Sequence, residues 1–266
     1  WGFTVTDGAL RMLVLLYFHT LGYTPFEVAM LFLFYEIFGI VTNLFGGWLG
    51  ARFGIKLTLY GGIALQVVAL VMMTPVNESW AIALAVPYVM VAQAFSGIAK
   101  DLTKMSSKSA VRLVIPQDAQ SALFKWVAIL TGSKNALKGV GFFLGSVLLG
   151  VFGYVSALLI MAEGLMVILL SSPFLPSGMG KVNAKVPFKQ LLSKSPEINI
   201  LSGARFFLFG ARDVWFVVGL PVFLYGVLNW QFEQVGGFMA TWVIGYGMIQ
   251  SLAPALLKQF GSGKPP

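Results

Sequence analysis

The sequence contains no cysteine and a single histidine, His19. The first absence removes disulfides, thiolate metal sites and a cysteine nucleophile. The second excludes centres built on two imidazoles, such as an HExxH zinc site. Charge is also scarce, at 11% of the 266 residues, while 58% are hydrophobic. Soluble domains carry about 25% charged and 45–50% apolar residues. The apolar residues come in long runs, unlike the short alternating segments of a membrane barrel. The chain therefore reads as all-α, a polytopic helical membrane protein. Its net charge of +8 is explained by basic cytoplasmic loops and does not call for nucleic acid. No grouping of nucleophile, base and acid is evident, which argues against an enzyme, and neither cofactor nor metal is expected. The chain opens on Trp1 inside an apolar helix, so it reads as part of a longer protein.

Runs near the roughly 20 residues that cross a bilayer lie at 1–21, 25–50, 57–76, 80–99, 128–149, 154–172, 198–225 and 232–257. They predict about eight spans. Connections after the second, fourth and sixth carry basic residues such as Arg52, Lys100 and Lys185, while the intervening ones carry none. That alternation places the amino end in the cytoplasm, with the plasma (inner) membrane the expected location. Residues 173–196, rich in Pro, Gly, Ser and Lys, form a linker. The expected organisation is an N-terminal six-helix bundle (1–172), a cytoplasmic linker (173–196), and two helices of a C-terminal bundle with a tail (197–266). A weak repeat agrees: Phe26-Glu27 and Gly39 recur as Phe232-Glu233 and Gly245 at the same spacing, as in transporters built from parallel repeats.

The central stretch is 128–149, which holds Lys134 and Lys138 in its interior. A lysine at the centre of a membrane helix costs about 2.5–3.5 kcal/mol on insertion scales. Four residues apart, the two lysines project from one face with Thr131 and Asn135, and Gly141 and Gly145 continue near it. Other mid-depth charges are Arg11, Arg205 and Arg212, with Asp7, Glu36, Glu163 and Asp213 of opposite sign. Asp7 and Arg11 are an i,i+4 pair able to neutralise each other within one helix. Arg205 and Arg212 stand two turns apart on one face. Convergence of Lys134, Lys138, Arg205 and Arg212 predicts a positive chamber that an anion fills. Arginine's planar fork suits phosphate-like oxyanions and lysine adds compact charge. The competing reading is a set of cross-helix salt bridges that only fix packing. Glu36 and Glu163 are candidates for proton coupling or for a structural role, as are Asp7 and Asp213.

The run from Gly46 to Lys56, GGWLGARFGIK, resembles the helix 2–3 signature of the major facilitator superfamily. Gly47, Arg52, Gly54 and Lys56 match that gating motif, but Ala51 stands where the family has Asp and Ile55 where it has Arg. Longer runs, 6–11, 29–54, 96–102, 130–145 and 209–216, resemble the organoarsenical efflux permease family ArsJ. The resemblance implies a major facilitator fold of twelve helices, about eight of them present here. It also implies alternating-access export of 1-arseno-3-phosphoglycerate, which confers arsenate resistance. The implied functional partner, not necessarily a physical one, is a glyceraldehyde-3-phosphate dehydrogenase that makes this ester. A monomer in the lipid bilayer is expected. The rivals are an organophosphate or organic anion transporter of the same superfamily and a non-transporting membrane receptor or scaffold. An inside-negative membrane drives an anion outward by about 2.3 kcal/mol per charge per 100 mV, so export needs no proton.

Overall fold

The computed structural model describes residues 1–114, 120–171, 174 and 195–260, with side chains at 47, 51, 112–114, 120, 198, 205, 206, 209, 210, 213 and 256–260 outside the description. The elements are α1 (Gly2–Thr20), α2 (Pro25–Leu31), α3 (Leu33–Phe53), α4 (Ile55–Met73) and α5 (Ile82–Val114), followed by α6 (Gln120–Leu170), α7 (Pro196–Asp213), α8 (Leu220–Gly226) and α9 (Phe232–Phe260). A π-helical turn, Val214–Gly219, joins α7 to α8. No strand occurs among the described residues.

Helix boundaries follow local chemistry. Thr24 caps α2 by accepting the Glu27 amide at 3.3 Å, and the Glu27 carboxylate accepts the Thr24 amide at 2.8 Å. Pro25 occupies the first turn, where its missing N–H costs nothing. Between α3 and α4 the chain reverses on Gly54 alone, at φ 88° and ψ 154°, a region essentially confined to glycine.

One expectation changes. The basic segment after the fourth span, read as a connection from Lys100, continues α5 to Val114. It contains neither Gly nor Pro before Pro116, so nothing in it stops a helix. The fifth and sixth spans meet at Gly153 (φ 75°) inside α6, whose 51 residues would stretch about 75 Å if straight. That is more than twice the hydrocarbon thickness of about 30 Å.

Among the described residues, four stretches are long and apolar enough to cross a membrane: Pro25–Gly46, Ile55–Met73, Ile82–Val111 and Ser121–Leu170. The last has length for two crossings. Helix α1 is the most enclosed element, with Leu13, Val14, Leu15, Leu16 and Phe18 fully buried. It packs on α6, while α5 takes α3 and α4, and α9 lies along the other side of α6.

Small residues make these approaches possible. A Cβ on Gly8 would strike the carbonyl of Lys138, one on Gly141 the carbonyl of Val5, and one on Gly145 the backbone of Ala9. On its other flank, Gly132 and Gly139 abut Gly247 and Ala240 of α9. Lipid gives helices no hydrophobic reason to associate, so backbone-to-backbone packing through small residues carries much of the contact.

Candidate substrate pathway

Charges from four helices meet inside the bundle. Asp7 on α1 is buried; it accepts a hydrogen bond from the Tyr35 hydroxyl at 2.5 Å and lies 3.6 Å from the Lys138 ammonium. One turn on, Arg11 pairs with Glu36 of α3. The structure thus gives Asp7 and Arg11 cross-helix partners, Lys138 and Tyr35 for the one and Glu36 for the other. Glu36 also takes Lys100 of α5 at 3.3 Å. Lys100 reaches Asp101 at 3.8 Å, and Lys104 reaches the same carboxylate at 3.1 Å. The buried Tyr35 ring lies beneath two cations, 4.3 Å from the Arg11 guanidinium and 4.0 Å from the Lys100 ammonium, so its π face adds to their stabilisation.

Lys134 completes the track one turn before Lys138. Its ammonium donates to the Ser107 hydroxyl of α5, a neutral partner. Among the described residues and the ion pairs named above, Arg11, Lys100, Lys104, Lys134 and Lys138 stand with Asp7, Glu36 and Asp101, five cations with three carboxylates. Burying charge is tolerable only where it is paired or serves a purpose. Paired carboxylates meet most of that need here and leave a positive surplus.

Of the four cations expected to converge, the described side chains are those of Lys134, Lys138 and Arg212. Lys134 and Lys138 face α5 and α1. Arg212 is exposed on α7, and α7 makes at most passing contact with α6. The side chains of Arg205 and Asp213 lie outside the described residues, as does nearly all of the linker 173–196. Glu163 stands exposed on the second half of α6, away from the network. Asn135, on the lysine face by sequence, instead donates to Gln250 of α9.

Around the gating motif, the Gly54 turn brings α4 back antiparallel to α3, and the Arg52 guanidinium lies 5.1 Å over the Trp48 ring. Ile55 is buried, so an apolar side chain fills the position where the resemblance implied an arginine. Sequence reasoning missed Tyr35, Asp101 and Ser107. A spacing signal existed for Asp101, which precedes Lys104 by three residues, the geometry of a helical ion pair. For Tyr35 and Ser107 the signal lay in helix orientation alone.

Long apolar helices enclosing a connected set of charged side chains define an integral, multi-pass membrane protein of the transporter kind. The chain belongs to the major facilitator superfamily, whose family model matches residues 3–266. Members of that superfamily are membrane transporters, and they are generally not enzymes. Comparison with curated proteins returns no match.

Proposed function

We propose that the protein exports an anionic organoarsenical, 1-arseno-3-phosphoglycerate, by alternating access and so confers arsenate resistance. The observation that carries the anionic part is the surplus of positive charge in the α1–α3–α5–α6 network, with Lys134 held by a hydroxyl and not a carboxylate. An oxyanion entering the track meets Lys134, Lys138 and Arg11 in turn, and arginine and lysine both pair strongly with such groups. Arg205 and Arg212 on α7 supply contacts from the second bundle (197–266), across from the first (1–172), with 173–196 as the cytoplasmic linker. Arg52, Gly54 and Lys56, with Gly47, form the gate at the turn between α3 and α4. Asp7 and Glu36 hold the cations in register; Glu163 and Asp213 remain the other acidic candidates for coupling. The arsenical part rests on the resemblance of the runs 6–11, 29–54, 96–102, 130–145 and 209–216 to the ArsJ permeases.

In this reading the amino end is cytoplasmic in the inner membrane, and a glyceraldehyde-3-phosphate dehydrogenase supplies the substrate. The test is arsenate tolerance and cellular arsenic content in cells producing the protein alone, the dehydrogenase alone, or both. Tolerance with lowered arsenic only when both are present is the expected result. Unchanged arsenic retention in the doubly equipped cells, beside export of ordinary phosphate esters from the same cells, would replace the arsenical with an organophosphate.

A further inference from the structure

Beyond Lys100 the same face of α5 continues to Gln93, two turns or about 10 Å deeper along the helix. Gln93 is fully buried, and neither its carboxamide nitrogen nor its oxygen has a hydrogen-bond partner. One turn from it, Ser96 donates to the carboxamide oxygen of Gln66 on α4 at 2.7 Å, leaving the Gln66 nitrogen buried and without a partner. Buried polar atoms are almost always satisfied, and each one left alone in a low-dielectric interior is costly. Two amides on adjoining helices, Gln93 of α5 and Gln66 of α4, therefore form a set of donors and an acceptor that wait for a neutral polar group.

We infer that Gln93, one turn from the Ser96 that holds Gln66, reads a hydroxyl on the carbon skeleton of the transported anion. The inference rests on the network's being an anion path. A charged oxygen is served better by Lys100 and Lys134 than by an uncharged amide. A hydroxyl both donates and accepts, which is what one carboxamide offers. A site built for a hydroxyl also rejects the analogue that lacks it, because the amide is then left buried and unmatched.

The experiment compares binding of 3-phosphoglycerate with that of its 2-deoxy analogue, 3-phosphooxypropanoate, to the purified protein in lipid nanodiscs. The wild type is expected to favour the hydroxylated anion by about tenfold or more. Gln93→Leu, and Gln93→Met should the leucine variant fail to fold, should erase that preference by weakening the hydroxylated anion while leaving the deoxy anion unchanged. Gln66→Leu, a positioning change, should narrow the preference without abolishing it. Equal affinities in the wild type, or a preference that survives in both Gln93 variants, would overturn the inference while the anion path stands. A Gln93 variant with a raised melting temperature and an unaltered preference would assign the amides to a trapped water and overturn it too. Failure of the wild type to bind either anion would remove the anion path itself, and this inference with it.

Discussion

Lys138 of α6 sets its ammonium 3.6 Å from the carboxylate of Asp7 on α1. The contact is possible because Gly8, next to Asp7, lets α1 lie directly on the carbonyl of Lys138. A glycine in one helix thereby decides which carboxylate a lysine in another can reach. The pairing has a thermodynamic signature. Lys138→Met leaves Asp7 buried with Tyr35 as its remaining neutral donor, and should destabilise the protein by about 2–3 kcal/mol, somewhat below a fully enclosed pair. The double variant Asp7→Asn/Lys138→Met should regain much of that loss. Melting curves in detergent for the two single variants and the double one measure the coupling; strict additivity would show that the two groups do not interact.

Glycines on α6 should differ sharply in what they tolerate. Gly145→Ala places a methyl group into the backbone of Ala9, whereas Gly164 has open space around it. Overpacking of this kind costs about 1–3 kcal/mol, while Gly164→Ala should be neutral or stabilise by up to about 1 kcal/mol through helix propensity. Thermal shift of the two proteins, side by side, checks the contrast.

The α3–α4 turn predicts two further losses. Gly54→Ala forces a side chain into a positive-φ conformation and should cost about 1–3 kcal/mol. Ile55→Arg, which would restore the residue usual for the family, buries a guanidinium where the structure has an apolar side chain. It should lower the yield of folded protein in detergent extracts more than Ile55→Val does.

On the proposed path, Lys134→Gln should reduce affinity for a dianionic substrate by about tenfold or more, the scale of one charge-assisted hydrogen bond. Ser107→Ala removes only the partner that holds the ammonium and should have a smaller effect. Concentration-dependent uptake into inverted vesicles separates the two. Equal uptake by Lys134→Gln and wild type would remove Lys134 from the path.

Much of this arrangement was legible in the chain and some was not. Apolar runs located the helices because hydrophobic length is a property of the sequence alone. Lys134 and Lys138 could be assigned to an interior face since a charged pair at i,i+4 has nowhere else to go in a lipid-embedded helix. The helix facing that pair could not be read, because it depends on the azimuth of α1 and α5; Gly8 and Gly141 set the first, and Gly97, where a Cβ would strike the Tyr35 carbonyl, sets the second. For the same reason Asp7 and Arg11 suggested a local pair, although the structure supplies both with partners from other helices. Lys100 to Val114 was misread as a connection because charge was weighed above the absence of a helix breaker. Convergence of Arg212 with Lys134 depends on how α7 sits against α6, which no spacing within one helix encodes.

Helix α6 offers bare backbone on two sides, to α1 through Gly141 and Gly145 and to α9 through Gly132 and Gly139. Interlocked side chains must lift out of one another before helices can slide, as gear teeth must disengage. Along these seams there are few teeth. The same glycines that hold the helices closest together thus make α6 a smooth rail, and the Lys138–Asp7 and Asn135–Gln250 contacts are the latches that fix where α1 and α9 sit along it.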